Sequence, residues 1–251
     1  PTLIDLKNNL IRGIRKASDF LMGLQLTGAA KESSLANMQV RLPAGVIGGG
    51  LTAIDTCTEA LAYYPVQVEK VLHRYENLCA IHGEAEVRKM YDAEEILILD
   101  EFLGHGRQIA AERARAVAAG EVPNFLPLLE AWGGVTMFYR KGIEDSPAYR
   151  QNAEEITEAL DEGIRLAPGM SPLEAIEDQD GHLSAVKFEK LKLEEGRWVR
   201  DDDAWENAIQ QVLAACKEFN VPCGYPANTV ADMEKRRAQG FSVFVSGWGD
   251  N

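Results

Sequence analysis

In the run Val46 to Asp55, read VIGGGLTAID, small residues recur as Gly48-x-Gly50-x-x-Ala53. This is the dinucleotide-binding fingerprint with alanine in its third place. Each small residue has a physical task there: Gly48 permits the tight turn, Gly50 lets the backbone approach a pyrophosphate, and Ala53 lets helix and strand pack closely. The helix that begins beyond the turn offers free N–H groups and a partial positive charge, so it can hold an anion even on an acidic protein. A second apolar run, Val135 to Lys141 (VTMFYRK), ends in Arg140 and Lys141. An acid at the end of the second strand of such a unit takes the ribose 2′-hydroxyl, whereas an arginine accommodates a 2′-phosphate, so these two residues favour NADPH over NADH. The competing readings are a glycine turn that serves packing alone and two basic residues that are merely solvated.

The surrounding pattern supplies the elements that must position these groups. Apolar residues at Leu6, Leu10, Ile11, Ile14, Phe20, Leu21 and Leu24 predict an amphipathic helix over Leu3 to Leu26. From Arg41 a short apolar run closed by three glycines predicts a buried strand meeting a turn, and Leu51 to Tyr64 reads as a helix. Residues 65–132 read as an almost wholly helical insertion, with candidates Val66–Tyr75, Ala93–Ala119 and Phe125–Glu130 punctuated by Pro65, Gly83, Gly120 and Pro123. A plain crossover needs far fewer residues, so the extra helices must cover the core or contact another domain.

Asp145-Ser146-Pro147 opens a helix that runs to about Glu162 and ends at Gly163. Leu173 to Arg200 alternates, with turns at 178–181 and 194–196, and predicts three antiparallel strands. The last block reads as a helix to Phe219, an apolar VPCGY, a helix from Thr229 to Gln239 and a strand in GFSVFVSG. The expected class is α/β: a Rossmann-like βαβ nucleotide-binding domain with a large helical insertion, a β-meander and a helix-strand-helix-strand tail. The expected organisation is an N-terminal helical segment over 1–40, the NAD(P)H-binding domain over 41–200 and a C-terminal tail over 201–251.

A formal charge of −13 and a pI near 4.8 argue against nonspecific nucleic-acid binding, which needs Lys and Arg to release counterions from phosphates. No apolar stretch reaches the roughly 20 residues that span a bilayer, and the first residues lack a signal-peptide pattern, so no membrane partner and a cytoplasmic location are expected. Cys57, Cys79, Cys216 and Cys223 form no C-x-x-C or finger spacing and read as reduced thiols, with Cys216 and Cys223 near each other in sequence. His73, His82, His105 and His182 are isolated, and no metal set is expected; Glu94-Glu95 and Asp201-Asp202-Asp203 read as solvated charge. Tyr63, Tyr64 and Trp132 read as core or partner-interface residues.

The strings KNNLIRGIRKASDFLM, LANMQVRLPAGVIGGGLTAIDTCTEALAYYPVQVEK and WGGVTMFYRKGIEDSPAYRQNAEEITEALDEGIRL resemble the NAD(P)H-binding half of flavin-dependent pyridine-nucleotide oxidoreductases related to the small subunit of glutamate synthase. The likeness covers about residues 6–200. It implies an electron path from NADPH to FAD and on to iron–sulfur centres. By that resemblance Gly48, Gly49, Gly50, Thr52 and Ala53 hold the pyrophosphate, Arg140 and Lys141 the 2′-phosphate, and Arg150 reaches the adenosine side unless it serves only a helix-start turn. No catalytic residue is implied. Neither a second glycine fingerprint for FAD nor a cysteine cluster is present, so the FAD and iron–sulfur partners would lie in another domain or subunit. The segment AIQQVLAACKEFNVPCGYPANTVADMEKRRAQGFSVFVSGWGD is similar to the end of class II 2-oxo-acid aldolases of the hydroxyoxoheptanedioate type, whose metal ligands have no counterpart in residues 1–200. A metal-dependent lyase and a noncatalytic interaction module are the alternatives to the nucleotide-binding reading.

Overall fold

The apolar run ahead of the glycines forms strand β1 (Ala44–Ile47), and the β-branched and aromatic run after Gly134 forms β2 (Val135–Tyr139). Such side chains fit a pleated, half-buried surface. In the computed structural model of the chain, which describes residues 6–227 and 229–246, the two strands pair in parallel with Ala44 opposite Val135 and Ile47 opposite Phe138. A third strand, β3 (Arg165–Pro168), joins β2 in parallel with Thr136 opposite Arg165. The sheet order is β1-β2-β3. All three strands therefore end on the same edge.

Helices lie between these strands. The first unit contains α1 (Ala17–Thr27), α2 (Leu51–His82), α3 (Glu84–Arg88), α4 (Ala93–Ala119), α5 (Leu126–Ala131), α6 (Pro147–Gln151) and α7 (Ala153–Asp161). Along α2 the residues Ala53, Cys57, Ala60, Leu61, Tyr64 and Val68 recur every three or four positions and are all buried in one cluster with Val135 and Met137 of β2. Burial pushes the Cys57 thiol up to about 12. Helix α4 lies against α2 with its backbone so close that a Cβ on Gly106 would stand 2.7 Å from the Val68 carbonyl oxygen. Its start is fixed by a capping box between Asp92 and Glu95, and Gly120 closes it in a left-handed conformation.

The segment between α1 and β1 has no ladder of its own, and α2 supplies partners for it. Gln67, buried, accepts from the Val40 N–H and donates to the Val40 carbonyl, both at 2.8 Å. The Tyr63 hydroxyl accepts from the Met38 N–H at 3.2 Å, and the Lys70 ammonium donates to the Ala29 carbonyl at 2.7 Å. Desolvation, then the nearby Arg74 charge, lowers the Lys70 pKa.

Four expectations from the sequence need correcting. The predicted helix over Leu3 to Leu26 is α1 alone within the described residues. Asn8 (φ 62) and Gly13 (φ 99) adopt left-handed backbone that interrupts any helix before Ala17, and Lys7 and Arg12 instead bridge to Glu174 and His182. Pro65 does not end a helix. It sits buried inside α2, which runs unbroken from Leu51 to His82; one backbone hydrogen bond is lost there, and the burial of both flanking turns outweighs it. The helix expected from Ser146 to Glu162 is two helices, because Asn152 (φ −156, ψ 88) leaves helical geometry between α6 and α7. Strand β3 had no counterpart in the sequence reading.

Beyond Pro168 the chain forms β4 (Met170–Glu177), β5 (Leu183–Glu194) and β6 (Arg197–Arg200), neighbours in that order as expected of a meander. The molecule divides into two compact units, residues 1–189 and 190–251. In the second, β5 and β6 pair antiparallel with Leu191 opposite Arg200. Then come α8 (Asp202–Glu218), β7 (Gly224–Ala227), α9 (Val230–Gln239) and β8 (Val243–Ser246), with β7 and β8 parallel. Residues 247–251, the end of the aldolase-like string, and Asn228 lie outside the described residues. Ile209, Leu213, Cys223 and Phe241 form the small core of this unit. Buried Arg236 donates to Glu206 at 2.6 Å and holds that carboxyl down at about 2, with further bonds from Gln239. The whole is a mixed α/β protein with small parallel and antiparallel sheets.

Candidate functional site

At the C-terminal edge of the parallel sheet, β1 runs into Gly48-Gly49-Gly50 and α2 begins at Leu51 with Gly50 as its N-cap. Glycine has no side chain with which to cap, and none does. The Ala53 and Ile54 N–H groups return to the Gly50 carbonyl at 2.9 and 3.4 Å. Among the described residues no backbone acceptor takes the N–H of Gly49, Gly50, Leu51 or Thr52. Four donors are thus without a backbone acceptor at the positive end of a 32-residue helix.

The three glycines divide their work differently from the sequence assignment. None of them has a positive φ, so the turn does not depend on left-handed backbone. Gly48 faces Ala53 instead: a Cβ on Gly48 would stand 3.2 Å from the Ala53 Cβ, which makes these two the close contact between strand and helix. Gly49, buried, lies flat against the Tyr139 ring, and a Cβ there would fall within the ring's van der Waals envelope. A Cβ on Gly50 would meet nothing within 4 Å, so that position is the one through which a ligand can approach the backbone. Thr52 is exposed beside it.

Register brings the second strand to the turn. The Gly48 N–H donates to the Phe138 carbonyl at 3.0 Å, which places Tyr139, Arg140 and Lys141 alongside the glycines. Arg140 is exposed and Lys141 half-buried. Among the described residues neither side chain has a salt-bridge or hydrogen-bond partner. The Lys141 carbonyl accepts from the Gly169 N–H at 3.0 Å, tying the end of β3 to the same edge. Behind the turn, the Ala148 N–H donates to the Gly49 carbonyl at 3.0 Å, and the fully buried Ser146 hydroxyl caps α6 by accepting from the Tyr149 N–H at 3.1 Å.

Arg150 is brought near this edge but turned to Asp145, with which it pairs at 3.2 Å on the surface. The structure thus gathers Gly48, Gly49, Gly50, Thr52, Ala53, Arg140 and Lys141, and it gives Arg150 a carboxylate of its own. Tyr139, which seats Gly49 and reaches the Asp145 carbonyl at 3.5 Å, was not singled out in the sequence. Its position at the end of an aromatic-rich strand beside a glycine run was the available signal. Asp55, one turn into α2, has its pKa raised by desolvation, then by the Glu155 carboxylate on α7. The edge is therefore cationic at the end of β2 and anionic farther along α2.

Other polar clusters lie elsewhere. His182 Nε2 lies 2.7 Å from a Glu94 carboxylate oxygen, with Arg12 at 3.5 Å from the same oxygen, a His–carboxylate pair that only the folded chain assembles. The Tyr64 hydroxyl and His105 Nδ1 are 2.7 Å apart, and the His105 ring stacks on Trp132 at 3.9 Å. Among the described residues no group of three His, Cys, Asp or Glu side chains is arranged to hold a metal, and no helix is long and apolar enough to cross a membrane. A cleft of about 370 Å³ opens beside Pro65, Arg113 and Phe125, away from the glycine turn.

The mixed α/β class is thus set by the sheets and their connections. No protein-family model matches the chain. An uncharacterized protein of Rickettsia prowazekii (strain Madrid E) is similar to it, 36% identical over 188 residues that cover 75% of this chain and 24% of that protein. The chain spans about a quarter of the length of this relative.

Proposed function

We propose that the chain is the NADPH-binding part of a flavin-dependent oxidoreductase, with a Rossmann-like β1–α2–β2 unit holding the dinucleotide and FAD carried on another domain or subunit. The observation that carries this reading is the convergence of unbonded donors and unpaired cations at one sheet edge. Among the described residues the N–H groups of Gly49 to Thr52 and the side chains of Arg140 and Lys141 have no protein partner there, while Gly50 leaves open space. Helix-start N–H groups and strand-end cations that no protein group engages are free to take a polar ligand. Four donors at a helix start suit a pyrophosphate, and two cations at the end of the next strand suit a 2′-phosphate.

Open space at Gly50 and the donors around it support the reading of NADPH as the ligand, and no second turn of this kind in the sequence would take FAD. Hydride transfer is the cofactor's chemistry; the chain binds the phosphates, orients the nicotinamide and supplies electrostatics. The resemblance to glutamate synthase small-subunit-like enzymes and a cytoplasmic setting belong to the same proposal. A fluorescence titration of the folded chain with NADPH tests it. Saturable binding, tighter than for NADH, is expected, and absence of binding at millimolar NADPH by a folded sample overturns it.

A further inference from the structure

Cys216 lies in the last turn of α8, and the chain reverses immediately after it. The Asn220 N–H donates to the Lys217 carbonyl at 3.2 Å and the Val221 N–H to the Cys216 carbonyl at 2.9 Å, with Asn220 in a left-handed conformation (φ 51). Two residues later Cys223 enters the core of the second unit, where its carbonyl accepts from the Ser242 and Val243 N–H groups at 3.0 and 3.1 Å. The reversal returns Cys223 to the side of the helix from which Cys216 projects. Both side chains pack in one cluster with Ile209, Leu213 and Phe241. Cys223 is 4% exposed, whereas Cys216 is half-buried and remains within reach of a small reagent.

We infer that Cys216 and Cys223 are a reversible redox pair, a dithiol that closes to an intramolecular disulfide in exchange with a low-molecular-weight disulfide. Cys216, the reachable member, attacks as thiolate on one sulfur of the reagent, forming a mixed disulfide and releasing one thiolate. The Cys223 thiol then gives up its proton and its sulfur attacks the Cys216 sulfur, expelling the second thiolate. The protein loses two electrons and two protons; the reagent takes up both and leaves as two thiols. Burial, then the adjacent Cys216 thiol, pushes the Cys223 thiol up to about 11, while the Lys217 ammonium opposes that rise. Cys57 is buried in the first unit, so it provides an internal control. This inference rests on the second unit alone and is independent of nucleotide binding.

The test uses the full folded chain, equilibrated with oxidised glutathione, quenched with acid, then unfolded and alkylated before mass analysis and peptide mapping. The expected result is loss of alkylation at both Cys216 and Cys223, a mass two alkyl groups below that of the alkylated dithiol, and one peptide pair that separates on reduction, with Cys57 still alkylated. The Cys223→Ser variant should stop at a single glutathione adduct on Cys216, and Cys216→Ser should leave Cys223 unmodified while folded. A wild-type protein that retains the adduct on Cys216 with Cys223 free, or that shows both thiols free at an oxidant excess which modifies a model peptide, overturns the inference. A bridge to Cys57 or Cys79 overturns it equally.

Discussion

The two edges of the parallel sheet treat their polar groups in opposite ways. Before β2, the Arg165 guanidinium donates to the Gly133 carbonyl, the Ala44 N–H donates to the Gly134 carbonyl at 3.0 Å, and buried Tyr64 bonds His105, which stacks on Trp132. Polar groups at that end are consumed within the protein, and aromatic area closes over them. Beyond β2 the glycine turn and Arg140-Lys141 leave donors and charges without protein partners among the described residues. The same strands thus anchor the fold at one end and offer a surface at the other. The packed edge should answer perturbation with stability, and the open edge with binding.

The largest stability effect is expected from Tyr64→Ala, which removes a fully buried ring and its bond to His105. By analogy with other large aromatic truncations it should cost about 3–5 kcal/mol in chemical denaturation, with the NADPH affinity of the remaining folded protein unchanged. A binding defect at temperatures where the variant is fully folded contradicts the separation of the two edges. Next comes Gly49→Val, which forces the Tyr139 ring away from the turn; about 1–3 kcal/mol of stability should be lost, and NADPH binding with it. If Gly49→Val binds NADPH as the wild type does, the glycine turn is not the binding element.

The paired change Arg140→Ala with Lys141→Ala should leave the melting temperature in place and weaken NADPH by about 1.5 kcal/mol or more, a little over tenfold, as expected for lost charge-assisted hydrogen bonds. NADH should be unaffected, and equal weakening of both nucleotides rules out a 2′-phosphate role. The smallest effect concerns His105, whose pKa is lowered by desolvation against a weaker opposing pull from Glu101. Because the unfolded chain takes up this proton more readily, stability should be fully present above about pH 6.5 and decline as pH falls from there toward the folded value. A single proton allows a slope of no more than about 1.4 kcal/mol per pH unit. Denaturation of wild type and His105→Gln across that range measures the difference in pH slope, which should vanish at higher pH.

Much of the site could be read directly because local sequence determines it. A strand, three glycines and a helix start are contiguous, and the basic pair ends the next β-rich run. What could not be read depends on distant partners. Nothing near Pro65 in sequence announces that burial along α2 will carry a helix through it. Arg150 pairs with Asp145 only five positions away, but which of the nearby carboxylates takes its charge is decided by the fold and not by spacing. The N-terminal helix failed for the converse reason: periodic apolar residues were present, but Asn8 and Gly13 favour the left-handed turns that let Lys7 and Arg12 bridge to β4 and its following turn. Short β3 carries a proline and too few residues for any alternation to register. Gly49 was assigned to phosphate contact, yet its tightest constraint is the Tyr139 ring, a neighbour ninety positions away that only sheet register supplies.

The buried Gln67 amide, which binds both polar groups of Val40, has a consequence for self-association. An open chain segment with free N–H and C=O groups is a template on which a second molecule can lay a strand. At Val40 both template groups are already taken by a side chain held rigidly on α2, so strand addition along residues 36–42 is interrupted at its middle. The chain thus leaves donors open at one sheet edge and withholds them, a few residues upstream, from copies of itself.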